Sequence, residues 1–245
     1  MNTFSKLNPN AFLSALDDGL MLYQQPIVYA NGSIAYEILL RKKLMDGCIV
    51  SAYPLVAQME SEGSISLLDR VVIKSAFSSG CKGRRYHINV SPITLNLNGA
   101  FIGYIEKIAA EYSINPALFV FEIIERPYIE FHGYSAVKKL QRMGFDISFD
   151  DFGKGHPLDA LYTIRPASIK VDLFFIQRMQ QDVACLRLVK SMVSQGHAVG
   201  ASVIAEGVET ESEYRLCEQI GFDGYQGWYF GQGQPLDCCG CNSDS

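Results

Sequence analysis

Long apolar runs are missing from this sequence. No stretch approaches the roughly 18 residues that a membrane-spanning helix needs, and Met1 to Asn10 lacks the basic-then-apolar layout of a secretory leader. No membrane partner is therefore expected, and the chain reads as cytoplasmic. Positive charge is not in excess: 21 Lys and Arg face 26 Asp and Glu, a net charge of −5. No overall field draws such a chain to a DNA or RNA duplex, although a local basic pocket stays open. Histidine is scarce, with four residues, and no Ser-His-Asp or Cys-His pattern stands out. No G-x-G-x-x-G follows the first strand candidate, which removes the main support for a Rossmann sheet. No Pro/Ser-rich linker divides the chain before its final ten residues, so one domain is the simpler reading.

The seven cysteines are odd in number. Cys48, Cys81, Cys185 and Cys217 are scattered and read as small buried hydrophobes. Cys238, Cys239 and Cys241 crowd a tail rich in Gly, Asn, Ser and Asp, without a second pair at zinc-ligand spacing. The expected layout is an extension over 1–12, a barrel domain over 13–235 and a flexible Cys-containing tail over 236–245.

What is present is material for a sizeable core, 48% apolar and 11% aromatic. Leu20 to Ala30 and Ser33 to Arg41 flank Asn31-Gly32, which predicts an antiparallel hairpin. Further strand candidates are Tyr86 to Ser91, Leu118 to Ile124, Ile147 to Asp151, Ser168 to Val171, Ser202 to Glu206 and Tyr225 to Phe230. Helical patterns lie between them around Tyr53 to Ser79, Ala100 to Tyr112, Tyr134 to Met143, Phe174 to Gln195 and Glu211 to Ile220. Gly144, Gly196 and Gly221 sit where helices should stop, and Thr210-x-x-Glu213 has capping-box spacing. The helical Phe174, Phe175, Met179, Leu186, Leu188 and Met192 read as core. Strand and helix alternation at this length predicts an α/β fold of the TIM (β/α)8 barrel type, modified by the opening hairpin. An open doubly wound sheet is the structural rival.

Polar residues recur at the ends of the apolar strands. Glu37, Asn89, Glu122, Asp150 with Asp151, Lys170 with Asp172, Glu206 and Gln226 each lie in or beside one run. In a barrel such ends converge on the face that carries active sites. Each alone reads as a solvated strand end or a satisfied core polar group, but surface charge has no reason to recur at corresponding ends of successive strands. Buried together, the acids must be protonated, paired or bound to cations, and one Lys cannot neutralise five of them. Oxygen-only donors from Asp, Glu and Asn suit Mg²⁺ or Mn²⁺ better than zinc. Period two places Glu37, Leu39 and Arg41 on one face, an acid and a phosphate-competent guanidinium along one strand. Glu125, three residues after Glu122, falls on the opposite face of an extended strand and reads as a loop anchor. Asp150 and Asp151 reach a common site if the strand ends there. His87 reads as a hydrogen-bonded core residue, and His156 could enter the site.

These residues resemble the EAL domain of bacterial cyclic-di-GMP phosphodiesterases over roughly Leu13 to Gly231. The matching motifs are Gln25-Pro26-Ile27, Glu37-Ile38-Leu39-Leu40-Arg41, Asn89-Val90-Ser91, Glu122-x-x-Glu125, Asp150-Asp151-Phe152-Gly153, Lys170-Val171-Asp172, Ala205-Glu206-Gly207-Val208-Glu209-Thr210 and Gln226-Gly227, in that order. The resemblance implies a modified TIM barrel with an antiparallel first strand. It implies two Mg²⁺ or Mn²⁺ ions, one on Glu37, Asn89, Glu122 and Asp150, the second among Asp150, Asp151 and Glu206. Lys170 would position or help deprotonate the attacking water. Gln25, Leu39 and Arg41 would lie along the dinucleotide, Asp172, Glu209 and Gln226 would support the site's polar network, and Glu125 would anchor the loop after Asp151. The implied catalytic set is Glu37, Asp150, Lys170 and Glu206, the product linear pGpG, and a homodimer is plausible.

Two positions depart from the family pattern. Ile38 replaces the Ala of the name-giving motif and, with inward-facing neighbours, should project outward into packing. After Gly153 the chain runs Lys154-Gly155-His156-Pro157-Leu158 where relatives carry small, aromatic and hydroxyl residues. The alternative to an enzyme is thus a noncatalytic EAL-like module that binds cyclic-di-GMP or a protein partner. A two-carboxylate glycosidase is a further outsider.

Overall fold

The structure, a computed structural model, describes residues 19–79, 83–124, 131–155 and 158–236. Glu125, His156, Cys81, the 1–12 extension and Cys238, Cys239 and Cys241 lie outside the described residues.

The chain opens with β1 (Leu20–Tyr29) and β2 (Ile34–Lys43), paired antiparallel along their length. Between them Gly32 takes φ +83° and the Asn31 side chain accepts from the Ser33 N–H at 2.9 Å, so the Asn-Gly pair makes the turn its chemistry favours. Then come β3 (Ile49–Ser51), α1 (Tyr53–Ser61), α2 (Ile65–Ser78), β4 (Arg85–Val90), α3 (Pro92–Asn96) and α4 (Gly99–Glu111). Next are β5 (Phe119–Ile123), α5 (Phe131–Arg142), β6 (Asp146–Phe152), α6 (Leu158–Ile164), β7 (Ser168–Val171) and α7 (Leu173–Arg178). The chain finishes with α8 (Val183–Ala198), β8 (Ser202–Ala205), α9 (Glu211–Ile220), β9 (Gly224–Tyr225) and β10 (Gln234–Pro235).

The strands close into a barrel in the order β1, β2, β4, β5, β6, β7, β8, β9, with β1 pairing back to β9. From β2 round to β9 every neighbour is parallel, and β1 alone among the barrel strands runs against both its partners. The open doubly wound alternative is thereby excluded. The short β3 and β10 extend the sheet outside the ring, beside β2 and β1.

Two apolar layers hold this ring. Outside it, Ile38, Phe77, Phe121, Ile147, Ile169 and Val189 belong to one continuous core between strands and helices. Each such side chain stabilises by about 1.5–3 kcal/mol relative to exposure. Ile38 is buried there, as its outward register requires. Inside the ring, Ile27, Ala35 and Ile204 form a separate small cluster. Glu37 and Glu206 lie two residues further along the strand runs of Ala35 and Ile204, so on one side of the plug the lining turns polar.

Several boundaries differ from the sequence reading. The pattern over Tyr53 to Ser79 is two helices, broken at Gly63 with φ +69°. Phe174 to Gln195 is also two, because Asp182 accepts from the N–H groups of Ala184 and Cys185 and caps a new helix. The last barrel strand is Gly224–Tyr225, so Gln226 follows it. Gly196 is interior to α8, and it lets the helix approach the sheet. A Cβ there would meet Val203 Cγ2 at 2.6 Å and Ile169 Cδ1 at 2.8 Å. Cys48 is exposed, while Cys185 and Cys217 are buried as expected. Phe174 and Leu188 are exposed, and Arg178 covers the Phe174 ring at 3.7 Å. The Thr210 and Glu213 capping box forms, and Gly144 and Gly221 take positive φ at helix ends.

Candidate active site

The barrel's polar end is organised around one buried ammonium. Lys170, with a side chain 0% exposed, lies on β7 between Ile169 and Val171, and its Nζ reaches Glu37 Oε2 at 3.2 Å, Glu122 Oε2 at 3.1 Å, Asp150 Oδ1 at 3.3 Å and Glu206 Oε1 at 2.6 Å. These acids come from β2, β5, β6 and the residue after β8, so barrel closure alone brings them together. Neutral donors fix two of them. Asn89 Nδ2 donates to Glu37 Oε1 at 2.8 Å, and Gln226 Nε2 donates to Glu37 Oε2 at 2.6 Å. His87 Nδ1 lies 2.7 Å from Glu122 Oε1, and Glu122 is fully buried.

Burial and charge compete at every group. Burial presses the Lys170 ammonium downward, but Asp150, Glu122, Glu206 and Glu37 outweigh it and hold its pKa well above that of an ordinary lysine. Burial pushes Glu122 well above the usual carboxylate range, with Lys170 opposing. Glu206 is raised by burial and then by Asp150. Burial acts on Glu37 as well, but Lys170, Gln226 and Asn89 prevail and lower it. His87 is driven well below the usual histidine range by burial and then by Lys170 and Arg85. The imidazole is therefore neutral, and its Nδ1 shares a hydrogen bond with the Glu122 carboxyl.

A second cluster adjoins the first. The β6 register slips between Phe149 and Phe152, and Asp151 takes φ +54°. This bulge, rather than the end of the strand expected from sequence, aims consecutive acids at one region, because the extra residue breaks the alternation of side chains. Asp150 joins Glu37 and Glu122, whereas Asp151 joins Asp172 and Glu206, with ligand-competent oxygens within 4.8 Å in each group. Asp172 also caps α7, its Oδ1 accepting from the Phe174 N–H at 2.9 Å. Burial, a hydrogen bond to Asp172 and the Asp150 charge push the Asp151 carboxyl up to about 6. Burial opposes ionisation of Asp172, but hydrogen bonds from Asp151 and Lys154 hold its pKa down.

Cavities open beside this centre. One of about 470 Å³ is lined by Leu39, Arg41, Asn89, Asp150 and Asp151, with apolar walls that include Val56. Another of about 260 Å³ is lined by Gln25, Glu37, Glu206, Glu209, Gln226 and Trp228. Gln25 donates from Nε2 to the Gly231 carbonyl at 3.1 Å and accepts from Gln226 at 3.3 Å. Glu209 accepts from Gln177 at 3.3 Å.

The described residues predicted from sequence thus fall into two acidic clusters and two cavities. Three further contributors were not assigned a site role from sequence. His87 orients Glu122, and its spacing of two from Asn89, on the same strand face, was the available signal. Asp69, an acid within the apolar pattern of α2, accepts from the Ser91 N–H at 3.1 Å and from the Thr94 hydroxyl beside the larger cavity. Lys154 reaches Asp172 and Asp151, which spacing alone could not reveal.

The donor set fits a hard divalent cation. It is made of oxygen, with four carboxyl groups meeting around one ammonium in a buried place.

Comparison with known proteins agrees with this architecture. The family model described as "EAL domain" matches residues 10–233. A relative from Escherichia coli named "Probable cyclic di-GMP phosphodiesterase PdeA" is 32% identical over 238 residues, covering 93% of this chain and 32% of its own length. Another from the same organism, "Cyclic di-GMP phosphodiesterase PdeF", is 27% identical, covering 88% of this chain and 30% of its own. The chain therefore spans about a third of the length of these curated relatives. Among solved structures, a complex titled "PaMucR Phosphodiesterase, c-di-GMP complex" has a TM-score of 0.83 at 24% identity, covering 92% of this chain and 96% of that one. A Klebsiella pneumoniae BlrP1 complex with manganese and cyclic-di-GMP has a TM-score of 0.78 at 24% identity, covering 90% and 57%. At these identities the structural likenesses establish the fold. By motifs, barrel topology and family match together, this chain belongs to the EAL domain family.

Proposed function

We propose that this chain hydrolyses cyclic-di-GMP to linear pGpG in a reaction that depends on Mg²⁺ or Mn²⁺. The observation that carries the reading is the ring of Glu37, Glu122, Asp150 and Glu206 around the buried Lys170, open to a cavity that Arg41 lines. The substrate is supported by relatives named as cyclic-di-GMP phosphodiesterases.

Glu37, Asn89, Glu122 and Asp150 would hold one ion, and Asp150, Asp151 and Glu206 a second. When bound, such ions lower the pKa of a water and stabilise charge on attacking and leaving oxygens in an in-line displacement. The chain's own residues do the rest. Lys170, whose ammonium the acids around it favour, would position the attacking water or help deprotonate it. Asn89 and Gln226 fix Glu37, and His87 fixes Glu122. Arg41 and Leu39 on one side, and Gln25 with Glu209 and Gln226 on the other, line the cavities that would take the two halves of the dinucleotide. Asp172 holds the start of α7 and Asp151 in place.

Incubating the purified protein with cyclic-di-GMP and Mn²⁺ tests the reading by the appearance of pGpG. One observation favours a second reading, a dinucleotide-binding module without turnover: a lysine ammonium already sits against the second acidic cluster. Binding of cyclic-di-GMP with no pGpG under any metal condition would select it. A glycosidase is disfavoured because Glu122 is fully buried behind Lys170 and His87, out of reach of a sugar.

A further inference from the structure

The loop after β6 carries a cation into the second acidic cluster. Lys154 Nζ lies 2.7 Å from Asp172 Oδ2 and 3.2 Å from Asp151 Oδ1, two of the three carboxylates that could share an ion there. The loop is built to bring it back. Asp151 at φ +54° and Gly153 at φ +112° turn the chain, and the Lys154 N–H closes the turn on the Asp151 carbonyl at 3.2 Å. Gly153 presses on α7 and α8, where a Cβ would meet Phe175 at 2.6 Å and Met192 at 2.8 Å, so the base of the loop is fixed.

An exposed i,i+3 ion pair is ordinarily worth little. Here one acceptor is different: the Asp172 side chain is 3% exposed and pinned by its cap to α7, and Lys154 is the cation paired with it among the described residues. The third carboxylate, Glu206, is held at 2.6 Å by Lys170. Lys170 thus touches acids of both clusters, and the second cluster carries a further cation, Lys154, on a half-exposed loop side chain.

We propose that Lys154 is a built-in counter-ion for the Asp151, Asp172 and Glu206 cluster, and that it weakens this cluster for a divalent cation relative to the Glu37, Glu122 and Asp150 cluster. The inference rests on the metal-site reading above, with Asp172, whose oxygens lie with those of Asp151 and Glu206, added to the acids of the second ion. It makes the chain an EAL domain whose first cation site fills readily and whose second fills when Lys154 leaves.

Mn²⁺ titration without nucleotide, following free Mn²⁺ by its paramagnetic resonance signal, separates the possibilities. Wild-type protein should show one stronger and one weaker site. Lys154→Met should tighten the weaker site by about ten-fold or more and leave the stronger one unchanged, since a unit charge beside the site has been removed. Lys154→Arg should keep the wild-type isotherm. Identical isotherms for wild type and Lys154→Met, both binding Mn²⁺, would overturn the role of Lys154 while sparing the metal sites. No Mn²⁺ uptake by any folded variant would overturn both readings, with circular dichroism reporting folding.

Discussion

Lys170 Nζ and Glu37 Oε2 lie 3.2 Å apart in a buried pair although 133 positions separate them in the chain. The contact spans the barrel interior between β7 and β2, where both groups are buried. Lys170→Met keeps much of the volume but removes the charge that Glu37, Glu122, Asp150 and Glu206 share. The metal-free variant should lose roughly 3 kcal/mol or more of stability, as buried pairs do when one member is deleted. Mn²⁺ should raise its melting temperature by more than it raises that of wild type. Equal shifts in the two proteins would contradict the charge balance described for the site.

His87 acts through Glu122. Removing its Nδ1 in His87→Leu leaves the buried Glu122 carboxyl without that partner. Groups that orient metal ligands typically contribute about 10–100-fold to metal affinity or activity. The expected outcome is a fall in kcat and Mn²⁺ affinity of that order with KM for cyclic-di-GMP little changed. A change confined to KM would assign His87 to substrate binding instead.

Gly227 follows the glutamine that fixes Glu37. At φ +156°, a Cβ there would fall 2.1 Å from the Val208 carbonyl oxygen and 2.4 Å from the Val208 N, backbone atoms that cannot step aside. Gly227→Ala should therefore cost about 1–3 kcal/mol in stability. It should also reduce turnover by displacing Gln226. Urea unfolding together with the pGpG assay checks both, and unaltered values would refute the tight approach.

Asp69 offers a pH test away from the acidic clusters. Burial pushes its carboxyl up to about 7, against hydrogen bonds from Thr94 and Ser91 that favour the charged form. The folded chain thus holds this proton more tightly than the unfolded chain, whose Asp titrates near ~3.9. The associated stability is complete below about pH 4 and is lost as pH rises through about 7. Asp69→Asn keeps an acceptor for Ser91 and Thr94 but cannot ionise. Its melting temperature relative to wild type should climb from pH 4.5 to pH 8, and a constant difference would contradict the assignment.

The barrel was legible because its strands are apolar runs punctuated by glycine and capping residues, and the acids stood out because they recur at strand ends. What escaped depends on geometry that periodicity does not encode. The β6 bulge turns Asp151 toward Glu206 through one residue at positive φ, where alternation would have sent it away from Asp150. The split of α7 from α8 comes from Asp182, whose capping bonds compete with helix continuation. Lys154 meets Asp172 only because that turn folds the loop back, and sequence spacing carries no trace of it.

The most direct test of the whole account is chromatographic: purified chain, cyclic-di-GMP and Mn²⁺, compared with Glu37→Gln. Wild type should release pGpG in a metal-dependent manner, and the folded variant should lose at least about 100-fold of that rate, since an ion ligand and the partner of Lys170 are changed together. Mn²⁺-loaded wild-type protein that yields no pGpG, or a folded Glu37→Gln variant with undiminished turnover, would contradict it.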